Sequence, residues 1–169
     1  MQAMKSASWN SSKMTIDCAG DIAGCDTLHV THTSESGVLK CDLHGLPFNK
    51  RTVCLLLARP DGLILGVTRG KAINDLGLPG GKVEESDDND AAAIIRETFE
   101  ETGIVISYPR VIHASVIEGI LCSSFTAQWT TGIPRTTTAG AVMWAAPEKF
   151  VSETCTFRDY NKVLLKTAL

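Results

Sequence analysis

Residues 52–69, TVCLLLARPDGLILGVTR, limit the fold more than any other stretch. The first arm, TVCLLLAR, is apolar at successive rather than alternate positions, so as a strand it must be covered on both faces. With the turn PDG at 60–62 and LILGVTR at 63–69, the pattern predicts a hairpin whose first arm lies at the centre of a sheet. Further strands are expected in IVIS (104–107), RVIHASVIEGIL (110–121), CSSFTAQWTT (122–131) and AVMWAA. A long helix is expected to end before Gly103, and short helical segments to start at Pro147 and Phe157. LGLPGG and GIPRTTTAG read as loops. Strands mixed with helices give an α/β (α+β) domain, a sheet covered by helices rather than a bundle or a sandwich.

The 169 residues allow one compact domain and are too few for two ordinary ones. A formal net charge of −3 argues against a broad nucleic-acid-binding surface but not against a small phosphorylated ligand. No apolar run reaches the ~18–20 residues of a membrane span, and the N-terminus lacks a secretory pattern, so the expectation is a cytoplasmic protein. Residues 1–26 show no sustained periodicity and are expected to form a flexible extension. Residues 27–44 read as a hairpin around SESG, pairing Leu28, Val30 and His32 with Leu39, Cys41 and Leu43. The six cysteines contain no CxxC pair and are expected to be reduced. Cys18, Cys25, His29, His32, Cys41 and His44 cluster in sequence without any familiar zinc spacing.

The helix lies in LPGGKVEESDDNDAAAIIRETFEETG, residues 78–103, and its final turns carry Glu97, Glu100 and Glu101. A helix C-terminus bears partial negative charge and favours Lys or Arg, so these acids oppose the dipole and one another. On a helical wheel the three carboxylates share a narrow sector, with Ala92, Ile95 and Phe99 opposite as the expected buried face. Clustered carboxylates on a rigid element suit a hard divalent ion such as Mg²⁺, which keeps waters and bridges carboxylates to substrate phosphates. The preceding glycine turn lets backbone approach closely and aim a carbonyl at an ion.

GGKVEESDDNDAAAIIRETFEETGI resembles the Nudix box: G, five residues, E, seven residues, REU, one residue, EE, one residue, GU, where U is apolar. Arg96 to Ile104 fits closely, except that Thr98 stands where an aliphatic residue is usual. Counting from Gly81, the first acid is Asp87 and eight residues then precede Arg96; counting back from Arg96, it is Asp88. The PDG turn, the DLGLPGG loop and MWAAPEKF resemble Nudix surroundings across roughly residues 50–168.

The resemblance implies an α/β/α sandwich with a mixed β-sheet, over a Nudix domain of residues 27–169 in which 27–44 would be an added hairpin. It implies hydrolysis of a diphosphate bond in a small nucleoside diphosphate linked to a group X, with nucleoside triphosphate housecleaning as one form. The cofactor it implies is Mg²⁺, with Mn²⁺ as a substitute. Glu97, Glu100 and Glu101 would be metal ligands, the Gly81 carbonyl would complete the coordination, and Glu97 is an alternative general base. Arg96 would organise the box by pairing with Asp87, Asp88 or Glu84. Glu118 is the candidate for the additional acid that many relatives recruit, and Arg69 and Lys71 are candidates for binding substrate phosphates. Homodimers are common in that family. Whether Trp129, Trp144 or Phe48 supplies a stacking ring is left open. The competing reading is a nucleotide-binding regulatory module on the same fold with little turnover.

Overall fold

The computed structural model describes residues 30–33, 38–41, 47–69, 72–138 and 140–168. Strands β1 (Val30–Thr33), β2 (Val38–Cys41) and β3 (Pro47–Phe48) form a small antiparallel sheet in the order β1-β2-β3. β1 and β2 pair Val30 with Cys41 and His32 with Leu39, the register expected of the hairpin. Leu28, Leu43, His44 and the extension 1–26 lie outside the described residues.

The remaining strands are β4 (Lys50–Leu55), β5 (Ile64–Arg69), β6 (Ala72–Gly77), β7 (Gly80–Lys82), β8 (Val105–Ile117), β9 (Ile120–Thr131) and β10 (Val142–Ala145). They form a four-stranded sheet, β7-β4-β9-β8, and a three-stranded sheet, β10-β5-β6. β4 runs parallel to β9, from Lys50 opposite Ile120 to Leu55 opposite Phe125, while the other pairs are antiparallel, so the four-stranded sheet is mixed. The helices among the described residues are α1 (Asp90–Thr102) and α2 (Arg158–Ala168), with a 3-10 segment at Pro147–Val151.

The apolar run of β4 is central, as its composition demands. Val53, Leu55 and Leu57 pack with Ala93 and Ile94 of α1 and with Ile106 and Phe125 in one core. Cys54 and Leu56 face a second core with Ile64, Phe150 and Leu164 of α2. The two faces of one strand therefore serve two helices, which makes the layers α1, sheet, α2.

Two expectations are corrected. The arms 52–59 and 63–69 do not form one continuous hairpin: β4 and β5 belong to different sheets, joined by the bridge Ala58↔Ile64 and the bond from Leu65 N to Leu57 O. The chain changes sheets because each arm finds a longer partner, β9 for β4 and β6 with β10 for β5. The expected loop after Arg69 contains β6 and β7, where glycines make the strand pattern hard to read. Gly80 has φ +154, and a Cβ there would fall 2.1 Å from the Val53 carbonyl oxygen, so only glycine lets β7 lie against β4.

Candidate active site

Helix α1 begins and ends as its sequence dictates. Asn89 is the N-cap and accepts the Ala92 N–H at 2.9 Å, while Gly103 closes the helix at φ 74 and donates its N–H to the Phe99 carbonyl. The loop that follows β9 finishes this end: Arg135 N donates to the Thr102 carbonyl and the Thr137 hydroxyl to the Glu101 carbonyl. The Arg135 side chain lies against Gly103 and over the Phe99 ring, 5.9 Å from its centroid. Backbone and cation from this distant loop offset the acidic last turn, a contribution that no local signal announces.

The face that α1 buries differs from the expectation. Asp90, Ala93, Ile94, Thr98 and Thr102 are buried, whereas Ile95 and Phe99 are 38% and 48% exposed. Glu97 and Glu101 border the buried face rather than opposing it, because the helix leans its acidic side onto β7. Thr98 is tolerated at a fully buried position because its hydroxyl donates to the Ile94 carbonyl at 2.6 Å.

The three box glutamates are not equivalent. A Cβ at Gly81 would fall 2.5 Å from the Glu97 carboxyl carbon, so this glycine makes the space that Glu97 fills. Glu101 accepts the Gly80 N–H at 2.9 Å, and burial is the main reason that the proton affinities of Glu97 and Glu101 are raised. Arg96 opposes that shift at Glu97, and the Gly80 N–H opposes it at Glu101. The Glu100 side chain is 56% exposed.

Arg96 ties the box together. Its Nε and Nη2 donate to the two Asp87 oxygens at 2.9 and 2.8 Å, and Nη2 also reaches the Lys82 carbonyl at 3.0 Å. Nη1 donates to Glu97 at 2.9 Å and Glu100 at 3.1 Å. The sequence left Asp87, Asp88 and Glu84 open as partners, and the arginine's fork meets Asp87. The guanidinium holds Asp87 below the ordinary carboxylate range, while its bonds with Asp87 and Glu97 raise its own proton affinity further.

Asp90 opens α1 on the opposite flank. Arg51 Nη1 of β4 meets its Oδ1 at 2.8 Å and Ser123 Oγ of β9 its Oδ2 at 2.9 Å, with both ion-pair side chains 11% exposed. Arg51→Ala is expected to destabilise the fold by about 2–4 kcal/mol, because it strips a buried carboxylate of its cation, whereas Ser123→Ala should cost about 1 kcal/mol. Urea unfolding of both variants checks the order.

Two clefts adjoin the glutamates. A polar one of about 260 Å³ is lined by Thr68, Arg69, Gly77, Gly80 and Glu101. An apolar one of about 190 Å³ lies between β4, β9 and α2, with Gly80 and Gly81 at its edge. Arg69 borders both, and its guanidinium covers the Phe157 ring at 4.2 Å. Lys71 lies outside the described residues. Glu118 is exposed at the tip of the β8–β9 hairpin, where it (φ 50) and Gly119 (φ 76) form the two-residue turn; among the described residues it makes no hydrogen bond or ion pair. Trp129 stacks on Trp144 at 5.5 Å and Phe48 is buried, whereas the rings lining the apolar cleft are Phe157 and Tyr160, which the sequence did not single out.

The donors around Gly80–Gly81 are carboxylate and carbonyl oxygens, the set a hard divalent ion takes. Among the described residues no three acidic, histidine or cysteine side chains are gathered closely enough to hold an ion unaided. Such a donor set fits an ion that keeps waters and takes oxygens from its substrate. Cys54, Cys122 and Cys155 are free thiols, and no helix among the described residues is long and apolar enough to cross a membrane.

The profile of the NUDIX domain matches residues 48–151, so the chain belongs to the Nudix hydrolase family. A MutT-like protein of Streptomyces ambofaciens is 32% identical over 113 residues, covering 63% of this chain and 70% of that one. The fold is shared with the MutT NUDIX hydrolase of Burkholderia pseudomallei, at 24% identity and TM-score 0.59 over 71% of this chain and 98% of the other. It is shared also with an ADP-ribose pyrophosphatase of Streptococcus suis, at 16% identity and TM-score 0.51 over 59% and 75%.

Proposed function

We propose that this chain hydrolyses a diphosphate bond in a small nucleoside diphosphate linked to X, with Mg²⁺ or Mn²⁺ as cofactor. The observation that carries the reading is the seating of Glu97 and Glu101 on Gly80 and Gly81 of β7, next to a polar cleft that Arg69 and Glu101 both line. Glu97, Glu100, Glu101 and the Gly81 carbonyl would hold the ion. When bound, a divalent ion neutralises phosphate oxygens and makes water a better nucleophile. Arg69 and Lys71 would bind phosphate oxygens, and Arg69 stands where a diphosphate in the polar cleft would meet its charge. Glu97 is the alternative general base for the attacking water, in which case Glu100, Glu101 and the Gly81 carbonyl would hold the ion. Arg96 holds that carboxylate in place. Glu118, next to Ile117 of the apolar cleft, would be the additional acid.

Release of phosphate or pyrophosphate across nucleoside triphosphates, dinucleoside polyphosphates, nucleotide sugars and NADH, with Mg²⁺ or Mn²⁺, tests the reading. Metal-dependent turnover of one class supports it; nucleotide binding without turnover would make the chain a regulatory module. Because protons compete with the ion for Glu97 and Glu101, metal affinity is expected to rise with pH beyond the ordinary carboxylate range. Mn²⁺ titrations by electron paramagnetic resonance across pH check this, and a pH-independent affinity would remove these two glutamates from the ligand set.

A further inference from the structure

Arg69 is held by packing alone. The pairing of β5 with β6 shifts register between Thr68 and Arg69, an irregularity of the kind that re-aims a side chain. The guanidinium then lies over the Phe157 ring at 4.2 Å, and a Cβ at Gly77 would come 3.4 Å from its Nε, so a ring face and a glycine of β6 fix its plane. Among the described residues the Arg69 side chain makes no hydrogen bond or ion pair, which leaves its N–H donors to whatever enters the polar cleft that it lines.

Phe157 belongs to the turn before α2, and three hydrogen bonds tie that turn to β6. Asp75 Oδ1 accepts the Thr156 N–H at 2.9 Å and Asp75 Oδ2 the Thr156 hydroxyl at 2.6 Å, while the Thr154 hydroxyl donates to the Asn74 carbonyl at 2.7 Å. The Thr156 hydroxyl and N–H, and more weakly the Arg69 charge, hold the Asp75 carboxyl below the ordinary carboxylate range.

We infer that Asp75 and Thr156 are positioning residues: their clasp fixes Phe157, Phe157 fixes the plane of Arg69, and Arg69 is thereby held ready for phosphate oxygens. The inference rests on the proposed role of Arg69 in diphosphate binding, and adds that residues out of reach of the substrate set the affinity of that contact. Removing Asp75 has two effects of opposite sign. If the carboxylate were only an anion near Arg69, its loss would tighten phosphate binding. If it is a clasp, its loss frees a flexible side chain that the ligand must then order, which weakens binding by about 3–10-fold.

Calorimetry with magnesium pyrophosphate as the probe reads that sign. Asp75→Ala is expected to weaken binding by about 3–10-fold and Arg69→Ala by about 10–100-fold. Added to Arg69→Ala, Asp75→Ala should change affinity by less than about twofold, because the group through which it acts is gone. Thr156→Ala, which removes one bond and no charge, repeats the cycle should Asp75→Ala fail to fold. Nitrogen relaxation of the Arg69 Nε–H, without ligand, should show lower order in Asp75→Ala than in the wild type. Tighter or unchanged binding in Asp75→Ala would overturn the inference, as would an undiminished effect in the Arg69→Ala background, unaltered Arg69 order, or a wild type that does not bind the probe. Coupled loss of affinity without hydrolysis of any nucleotide would sink the hydrolase reading and leave the clasp standing; hydrolysis without coupling would do the reverse.

Discussion

Glu101→Gln is expected to lower kcat by about 10²–10⁴-fold while making the metal-free protein slightly more stable. The loss follows from removing a charged oxygen from the proposed ligand set. The gain has a separate cause. Burial raises the Glu101 proton affinity, so between its unfolded and folded pKa the native state binds more protons, and stability falls as pH rises through that window. Once ionised, the carboxylate costs stability; a glutamine carries no such charge, and its amide oxygen can still accept the Gly80 N–H. The expected gain is about 1 kcal/mol, read as a higher urea midpoint with an unchanged slope. Unchanged turnover, or a less stable protein, would contradict this account of the site.

Arg96→Ala is expected to lower stability by about 3 kcal/mol, together with loss of activity. The substitution leaves the Asp87 side chain, 5% exposed, without its bidentate partner, and frees Glu97 and Glu100 from a common donor. Arg96→Lys should recover little, because an ammonium cannot offer the fork that spans both Asp87 oxygens. In the wild type the Asp87 carboxyl is depressed by the guanidinium, so its stabilising contribution is present above the unfolded carboxylate value and is lost as pH falls through the depressed one. The stability gap between wild type and variant should therefore narrow in acid. Urea midpoints at neutral and acidic pH test both the size and the narrowing.

The sequence and the structure agree where the signal is local. The apolar continuity of 52–57 placed β4 at the centre, and the Gly103 stop was visible because a helix end leaves a residue-specific mark. The Arg96 partner was narrowed to three acids but not chosen, since the extra residue before α1 left the count ambiguous; Asp87, with a shorter arm than glutamate, sits where Arg96 can grip it. Local reading failed where distant residues decide. Ile95 and Phe99 looked buried because they are apolar, yet β7 offers glycines rather than a hydrophobic surface, and the glutamates take the inner position. Arg135, Thr137, Phe157 and Tyr160 reach the site from the loop after β9, from the turn before α2 and from α2, elements whose positions depend on the whole topology.

The parallel pairing of β4 with β9 joins residues 70 positions apart in sequence. Contacts of that kind must be assembled against loop-closure entropy, which slows folding. At ordinary translation rates, roughly one to six seconds separate the synthesis of the end of α1 from that of the end of β9. During that interval Val53, Leu55 and Ile94 exist without the strand that seats them, and the acidic turn lacks the loop that later closes it. The charge that the finished enzyme would use at its centre thus also borders an apolar stretch of the growing chain, where like charges oppose association between neighbouring chains.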